Sequence, residues 1–408
     1  MKAINLIKKY KLELFLIIYQ LIFLFVNNPS FFVKDSVILC YINDFSTGFG
    51  PRKLVASLTS VLFGDFVSYT EIKLMVLLVS IVLMVVFSIF IGSTMRKVEK
   101  DNKLSFLYLV VLYLSCSFAV TFLYKTATWG RMEAWHILIL IVYLILSLKT
   151  NDKIRPLLMF VACEISMIIH HMFLSTFLPI YLFLAIYELR KASFDKRLFM
   201  QYFAVFTCVA ASFLLLHFIK FDEMSYEQTL IYLNNKTNAD VSEYFVRWIY
   251  FEPISKHLNQ FVKPYLIYNI GSVLLSLILF APLYFVIYKG IRKAVVCSRN
   301  SSNEKSFILY FIACAPMLIA YVTASDFGRW TASHFTGFFL FFVYLLSENN
   351  RTAKEMLSSL GNHIKAHKFF YMLLPLYLLL FSKNMCKFPD EFKRFLDFVL
   401  SALRHISL

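Results

Sequence analysis

The sequence predicts an all-α fold: a polytopic transmembrane helical bundle of about 11 spans (range roughly 10–12), with short loops and an amphipathic C-terminal helix. Three observations lead there. Of the 408 residues, 59% are hydrophobic and only 16% charged, and mean hydropathy is +0.67, whereas soluble domains hold about 45–50% apolar and about 25% charged residues. The apolar residues come in blocks of about 15–25, the length a helix needs to cross a bilayer. Basic residues collect in alternate connections between the blocks. With 45 Phe but only 10 Gly and 10 Pro, the composition excludes disorder, collagen-like sequence and an ordinary cytosolic enzyme.

The elements follow in order. Leu12–Val26, behind Lys8, Lys9 and Lys11, reads as a signal anchor because no small-residue cleavage site follows it. Further spans are expected at 73–93, 105–123, 135–148, 156–170, 173–188, 200–219, 265–288, 306–323, 334–347 and 369–382. The apolar run 156–188 is divided at His170–His171, since both of its ends, near Arg155 and Arg190, carry positive charge. Residues 1–388 thus form one integral membrane domain. Residues 389–408 form an interfacial amphipathic tail, with Phe392, Phe395, Leu396 and Val399 at helical spacing beside Lys393 and Arg394.

Charge sets the expected orientation. The N-terminus and segments 94–104, 149–155, 189–199, 289–305 and 348–368 hold 24 of the 41 Lys and Arg. Segments 27–72, 124–134, 220–264 and 324–333 hold 11 in more residues. The positive-inside rule assigns the first set, with the N-terminus, to the cytoplasm and the second to the outside. The net charge of +16 is therefore that of cytoplasmic loops, and no nucleic-acid partner is expected. The seven cysteines form no CxxC pair, so neither a metal site nor a disulfide framework is expected.

The polar residues on the expected outer side carry the chemistry. Asp44 precedes a Gly48-Phe49-Gly50-Pro51-Arg52 turn; Trp129-Gly130-Arg131 lies in the second loop, and Asp326-Phe327-Gly328-Arg329-Trp330 in the last. Guanidinium groups bind phosphate bidentately. Arg52, Arg131 and Arg329 would therefore suit the diphosphate of a lipid-linked substrate, with the glycines allowing close backbone approach. Trp129, Trp330 and Asp326 are the expected sugar-binding residues. The same tryptophans equally suit interfacial anchoring, and Asp326 with Arg329 equally suits a local ion pair. His170 or His171 would act as general base toward a sugar hydroxyl, with Glu164 orienting it or carrying the proton. Asp44 is the best placed catalytic carboxylate. No DxD, HExxH, GxSxG or phosphate-loop signature is present, so no metal and no cofactor are expected.

In layout, a Phe- and Tyr-rich chain of this length with outer Arg and His resembles the Wzy-type O-antigen and capsule repeat-unit polymerases. It also resembles the wider group of GT-C-like glycosyltransferases that use polyprenyl-phosphate donors. The resemblance implies polymerisation of undecaprenyl diphosphate-linked oligosaccharide repeats on the outer face of a bacterial inner membrane. The implied partners are the lipid-linked glycan, membrane lipid, and chain-length-regulating or flippase proteins. Asp44 matches the first-loop aspartate of the single-sugar transferases. Segment 220–264 is shorter than the large late loop of many polymerases. A lipid-linked oligosaccharide flippase or other transporter is the non-enzymatic alternative.

Overall fold

A computed structural model describes residues 9–116, 128–218, 221–222, 224–251, 274, 278–298 and 327–380. Within them the chain is helical apart from one two-residue strand pair. Helix α1 (Lys11–Asn27) leads to α2 (Asp35–Ile42), strand β1 (Gly48–Phe49) and α3 (Leu54–Phe63). The long α4 (Tyr69–Lys97) is followed by α5 (Lys103–Ser115), α6 (Glu133–Ser147) and α7 (Arg155–Ile169). A one-turn helix, α8 (Phe173–Thr176), precedes α9 (Leu178–Lys191) and α10 (Lys196–Phe218). Strand β2 (Phe221–Asp222), α11 (Tyr226–Lys236) and α12 (Glu243–Val246) come next. The last described helices are α13 (Ala281–Ser298), α14 (Phe327–Ser347), α15 (Arg351–Ala366) and α16 (Lys368–Leu380).

Among the described residues three helices are long and apolar enough to cross a membrane: Tyr69–Lys97, Lys196–Leu216 and Trp330–Ser347. Four other expected spans coincide with helices of 14–17 residues, too short for a straight crossing of a hydrocarbon core about 30 Å thick; the spans at 105–123 and 369–382 run beyond the described residues. Of the block 265–288, residues 265–273 and 275–277 lie outside the described residues, and the described helix runs Ala281–Ser298. One expectation is corrected. The basic connection 348–368 is not a loop but the amphipathic α15, with Met356 and Leu357 buried on one face. The span at 306–323 and the tail 389–408 lie outside the described residues.

Helix α4 is central, packing on α1, α6 and α14, and α14 also touches α6 and α9. Polar contacts fix the registers: Gln20 Nε2 donates to Ser88 Oγ at 3.1 Å and Tyr113 Oη meets Thr336 Oγ1 at 3.1 Å. The Tyr113 and Phe339 rings stack at 4.1 Å. Phe15, Ile22, Val26, Leu157, Phe203 and Leu214 are exposed on α1, α7 and α10. Exposed apolar side chains on several helices at once, around a core with polar pairs inside, suit a lipid surround rather than water.

The described parts of the two expected sets of loops make contacts within their own set. At one end Lys97 Nζ donates to Ser347 O at 3.0 Å and Lys354 bonds Glu99 at 3.1 Å. There, too, Arg155 pairs with Glu188 and donates to Ser147 O at 3.0 Å. Glu188 accepts from Tyr344 Oη at 3.0 Å, and Glu348 pairs with Lys191. This ionic cluster joins α6, α7, α9 and α14.

At the other end, segment 43–69 folds against residues 221–238. Gly48 pairs with Asp222 and Phe49 with Phe221, Val67 N donates to Lys236 O at 2.8 Å, and Tyr69 N to Asn238 Oδ1 at 2.8 Å. Helices α2, α3 and α11 therefore build a cap over that end.

Gly130 holds the second loop beneath the cap. Its φ of +85° is one that a Cβ strains, and a Cβ there would sit 2.9 Å from the Val76 methyls; its carbonyl accepts from Tyr41 Oη at 2.9 Å. Gly130→Ala is expected to lose about 1–3 kcal/mol, read as a lower thermal midpoint in detergent; an unchanged midpoint would refute this packing.

Candidate functional site

The cap end holds the residues expected to carry chemistry, and one backbone contact organises them. Arg52 N donates to Ile168 O at 3.1 Å, tying the Gly-Pro-Arg turn to the end of α7 just before His170. Arg52 itself sits at φ +73°, a left-handed conformation that costs a non-glycine residue about 1 kcal/mol. Strain kept in a charged residue, beside a broken helix, is a mark of functional sites.

The helix break after Ile169 turns both histidines out of the helical path. His170 caps α7 with extended backbone, and its Nδ1 accepts from Met172 N at 3.0 Å. In the neutral ring the proton is then on Nε2. The His170 and His171 rings lie 5.1 Å apart. His170 is 8% exposed while His171 is half-buried, so His171 is the more exposed imidazole of the pair.

A third imidazole, not singled out from the sequence, completes the group. His136 is 2% exposed, and its Nε2 lies 3.1 Å from Ser166 O. Because a carbonyl only accepts, that nitrogen carries the proton and Nδ1 is the basic one. Its ring lies 6.5 Å from that of His170 and 5.7 Å from Phe173. Its sequence signal is the three-residue spacing from Glu133, which places both on one face of the first turns of α6 beside Arg131. His334, on α14, reaches the same region, with Nε2 3.2 Å from Ser175 O.

These contacts bring His136, His170, His171 and the Arg52 backbone to the end of α7, with Arg131 five residues before His136 in the chain. Arg329 lies in the first turn of α14, five residues before His334, and its side chain is outside the described part; Asp326 also lies outside it.

Other residues have different surroundings from those expected. Trp129 is 1% exposed, donates from Nε1 to Ser80 Oγ at 2.9 Å and packs on Phe31. Trp330 is 5% exposed. Burial leaves neither indole a free face for a sugar, so both are corrected to packing residues. Glu164 opens into a groove with Cys208, Ala211 and Ser212 of α10. Its Oε1 has no hydrogen-bond partner among the described residues, and no contact there links it to His170 or His171. Gly130 is required by packing against Val76, not by an anion.

Asp44 is enclosed by the cap. Its carboxylate pairs with Lys236 of α11, and accepts from Tyr232 Oη at 2.9 Å, Ser60 Oγ at 3.0 Å and Ser46 N at 3.0 Å. Burial alone would raise its pKa. The Lys236 ammonium, the Ser46 N–H and the Tyr232 hydroxyl outweigh burial and hold the carboxyl below its ordinary value. The group thus clasps the two halves of the cap.

The sign of the pH effect follows. A depressed folded pKa gives stability that is full above the unfolded value, near 3.9, and lost as pH falls through the lower folded value. Cap opening, followed by amide hydrogen exchange in α11, should stay flat from pH 7 to about 5 and rise only below about 4. A rise centred near neutrality would contradict the clasp.

No family model, curated protein or solved structure matches this chain.

Proposed function

We propose that the chain is a membrane glycosyltransferase that polymerises undecaprenyl diphosphate-linked oligosaccharide repeats on the outer face of a bacterial inner membrane. It would cross that membrane about eleven times, with the ionic end and the N-terminus in the cytoplasm. The observation that supports the reading is the backbone tie between the strained Arg52 turn and the end of α7 at the His170–His171 break.

The chemistry is a substitution at the anomeric carbon. An acceptor hydroxyl oxygen forms the new bond to that carbon. The bond from the carbon to the phosphate oxygen breaks, and the diphosphate leaves with the electron pair. The hydroxyl proton passes to His171. Arg52 and Arg131, with Arg329 as the third cation expected from the sequence, bind the charge that grows on the leaving group. His170 and His136 hold the more exposed ring in place. A single-sugar transfer with Asp44 as base is less well supported, because its carboxylate is already held by Lys236, Tyr232 and Ser60.

Purified protein given an undecaprenyl diphosphate-linked oligosaccharide should yield products that grow by whole repeats, with release of undecaprenyl diphosphate. Growth by one sugar would favour the polyprenyl-phosphate transferase. Movement of the donor across vesicles without a new glycosidic bond would favour the flippase.

A further inference from the structure

Helices α7 and α10 pack on each other and leave between them a groove of about 490 Å³, open to the surroundings along one side. Phe160 and Ile165 of α7 form one wall, and Cys208, Ala211 and Ser212 of α10 the other. Both helices start at basic residues, Arg155 in one and Lys196 with Arg197 in the other, so in the membrane reading they cross in the same direction. Residues 154–170 and 196–217, which hold both walls, are described without a gap.

Glu164 enters this groove from α7, about 13 Å along the helix from Arg155 at about 1.5 Å per residue. Its Oε1 is buried and accepts no hydrogen bond among the described residues. An ionisable side chain within an apolar span is costly unless a partner answers it. A donor stands in the same groove without reaching it. Thr207 Oγ1 donates back to Phe203 O at 2.9 Å, whereas Ser212 Oγ makes no such bond among the described residues. The two unmet groups are complementary and share one depth. A two-fold axis along the membrane normal keeps two copies at equal depth and exchanges their contacts, so each Glu164 meets the Ser212 of the other copy. Helix α10 is also the side left open. Among the described residues its crossing window is 22% buried, against 56% for α4 and 78% for α14. Ala204, Cys208 and Ala211 lie exposed on it at i, i+4, i+7 spacing, and such small side chains let a second helix approach closely.

We propose that the chain forms a two-fold dimer in which α10 of each copy seats in the α7–α10 groove of the other. The Ser212 hydroxyl of each copy donates to the Glu164 carboxyl of the other. The inference rests on the membrane reading of α7 and α10 and does not depend on glycan transfer.

The test uses the full chain in its native membranes and in lipid nanodiscs. Mild oxidation of the membranes should join two chains through Cys208, and Cys208→Ser should lose that product. Native mass spectrometry of the nanodisc-held protein should give two chains. Glu164→Leu should weaken association roughly tenfold, while Glu164→Gln, which keeps a carbonyl acceptor, should associate as the wild type does. In the Cys208→Ser background, Ile22→Cys on the exposed face of α1 should not cross-link. A single chain in nanodiscs, a different protein joined at Cys208, equal association of Glu164→Leu, or cross-linking through position 22 would overturn the proposal. Release of the chain from membranes by alkaline carbonate without detergent would instead overturn the membrane reading on which the dimer rests. The cross-link and mass of the wild type decide the matter even if Glu164→Leu fails to fold.

Discussion

Arg52→Gly is expected to lower glycan transfer by roughly 10²–10³ while keeping the turn folded. The two effects separate because of the backbone. At φ +73° glycine is unstrained where arginine is not, so the substitution should relieve about 1 kcal/mol. The amide that donates to Ile168 O is kept. What disappears is the guanidinium, and losing one preorganised donor to a developing anion costs roughly 10²–10³ in rate. Initial rates of diphosphate release and a thermal melt, on the same preparation, read both quantities. Arg52→Lys should recover part of the rate, since it restores the charge but not the bidentate geometry. Wild-type rates in Arg52→Gly would remove Arg52 from the site.

Arg155→Ala should be the most destabilising single change at the opposite end. The guanidinium pairs with buried Glu188 and donates to Ser147 O at 3.0 Å, with Asp152 at 3.1 Å and Glu348 at 4.0 Å around it. Removing it leaves Glu188 a buried carboxylate answered by the Tyr344 hydroxyl and, through space, the Lys191 ammonium, at a cost of roughly 3–5 kcal/mol. Arg155→Met combined with Glu188→Met removes both charges and should restore most of the loss, as replacing a buried pair by apolar residues often does. Unfolding of the detergent-solubilised variants measures this. A double variant no better than Arg155→Ala would show that the pair is not the source of the defect.

These residues also show what a single sequence discloses. The apolar blocks 73–93, 200–219 and 334–347 are legible because block length and hydropathy alone define a crossing helix, and helices stand there. The break at His170–His171 is legible because two imidazoles interrupt an apolar run, and the chain does turn there. The pairing of Arg155 with Glu188, 33 residues away, is not legible, since periodicity carries no information on which helices meet. For the same reason Asp44 reads as a free carboxylate until α11 brings Lys236 across 192 residues. Trp129 looks like an interfacial ring because it adjoins Gly130 and Arg131. Its burial depends on Ser80 and Phe31 from other elements. Helix α15 hides behind its own polar face, which lowers the average hydropathy of the segment although Met356 and Leu357 are buried.

Cysteine labelling at position 171 tests the site most directly. In His171→Cys, a membrane-impermeant thiol reagent should react in intact cells above the background of the native cysteines, and an undecaprenyl diphosphate-linked oligosaccharide should slow that reaction. Labelling only after the membrane is opened would place the imidazole on the wrong side. A rate untouched by the lipid-linked glycan would mean that these arginines and histidines do not hold it.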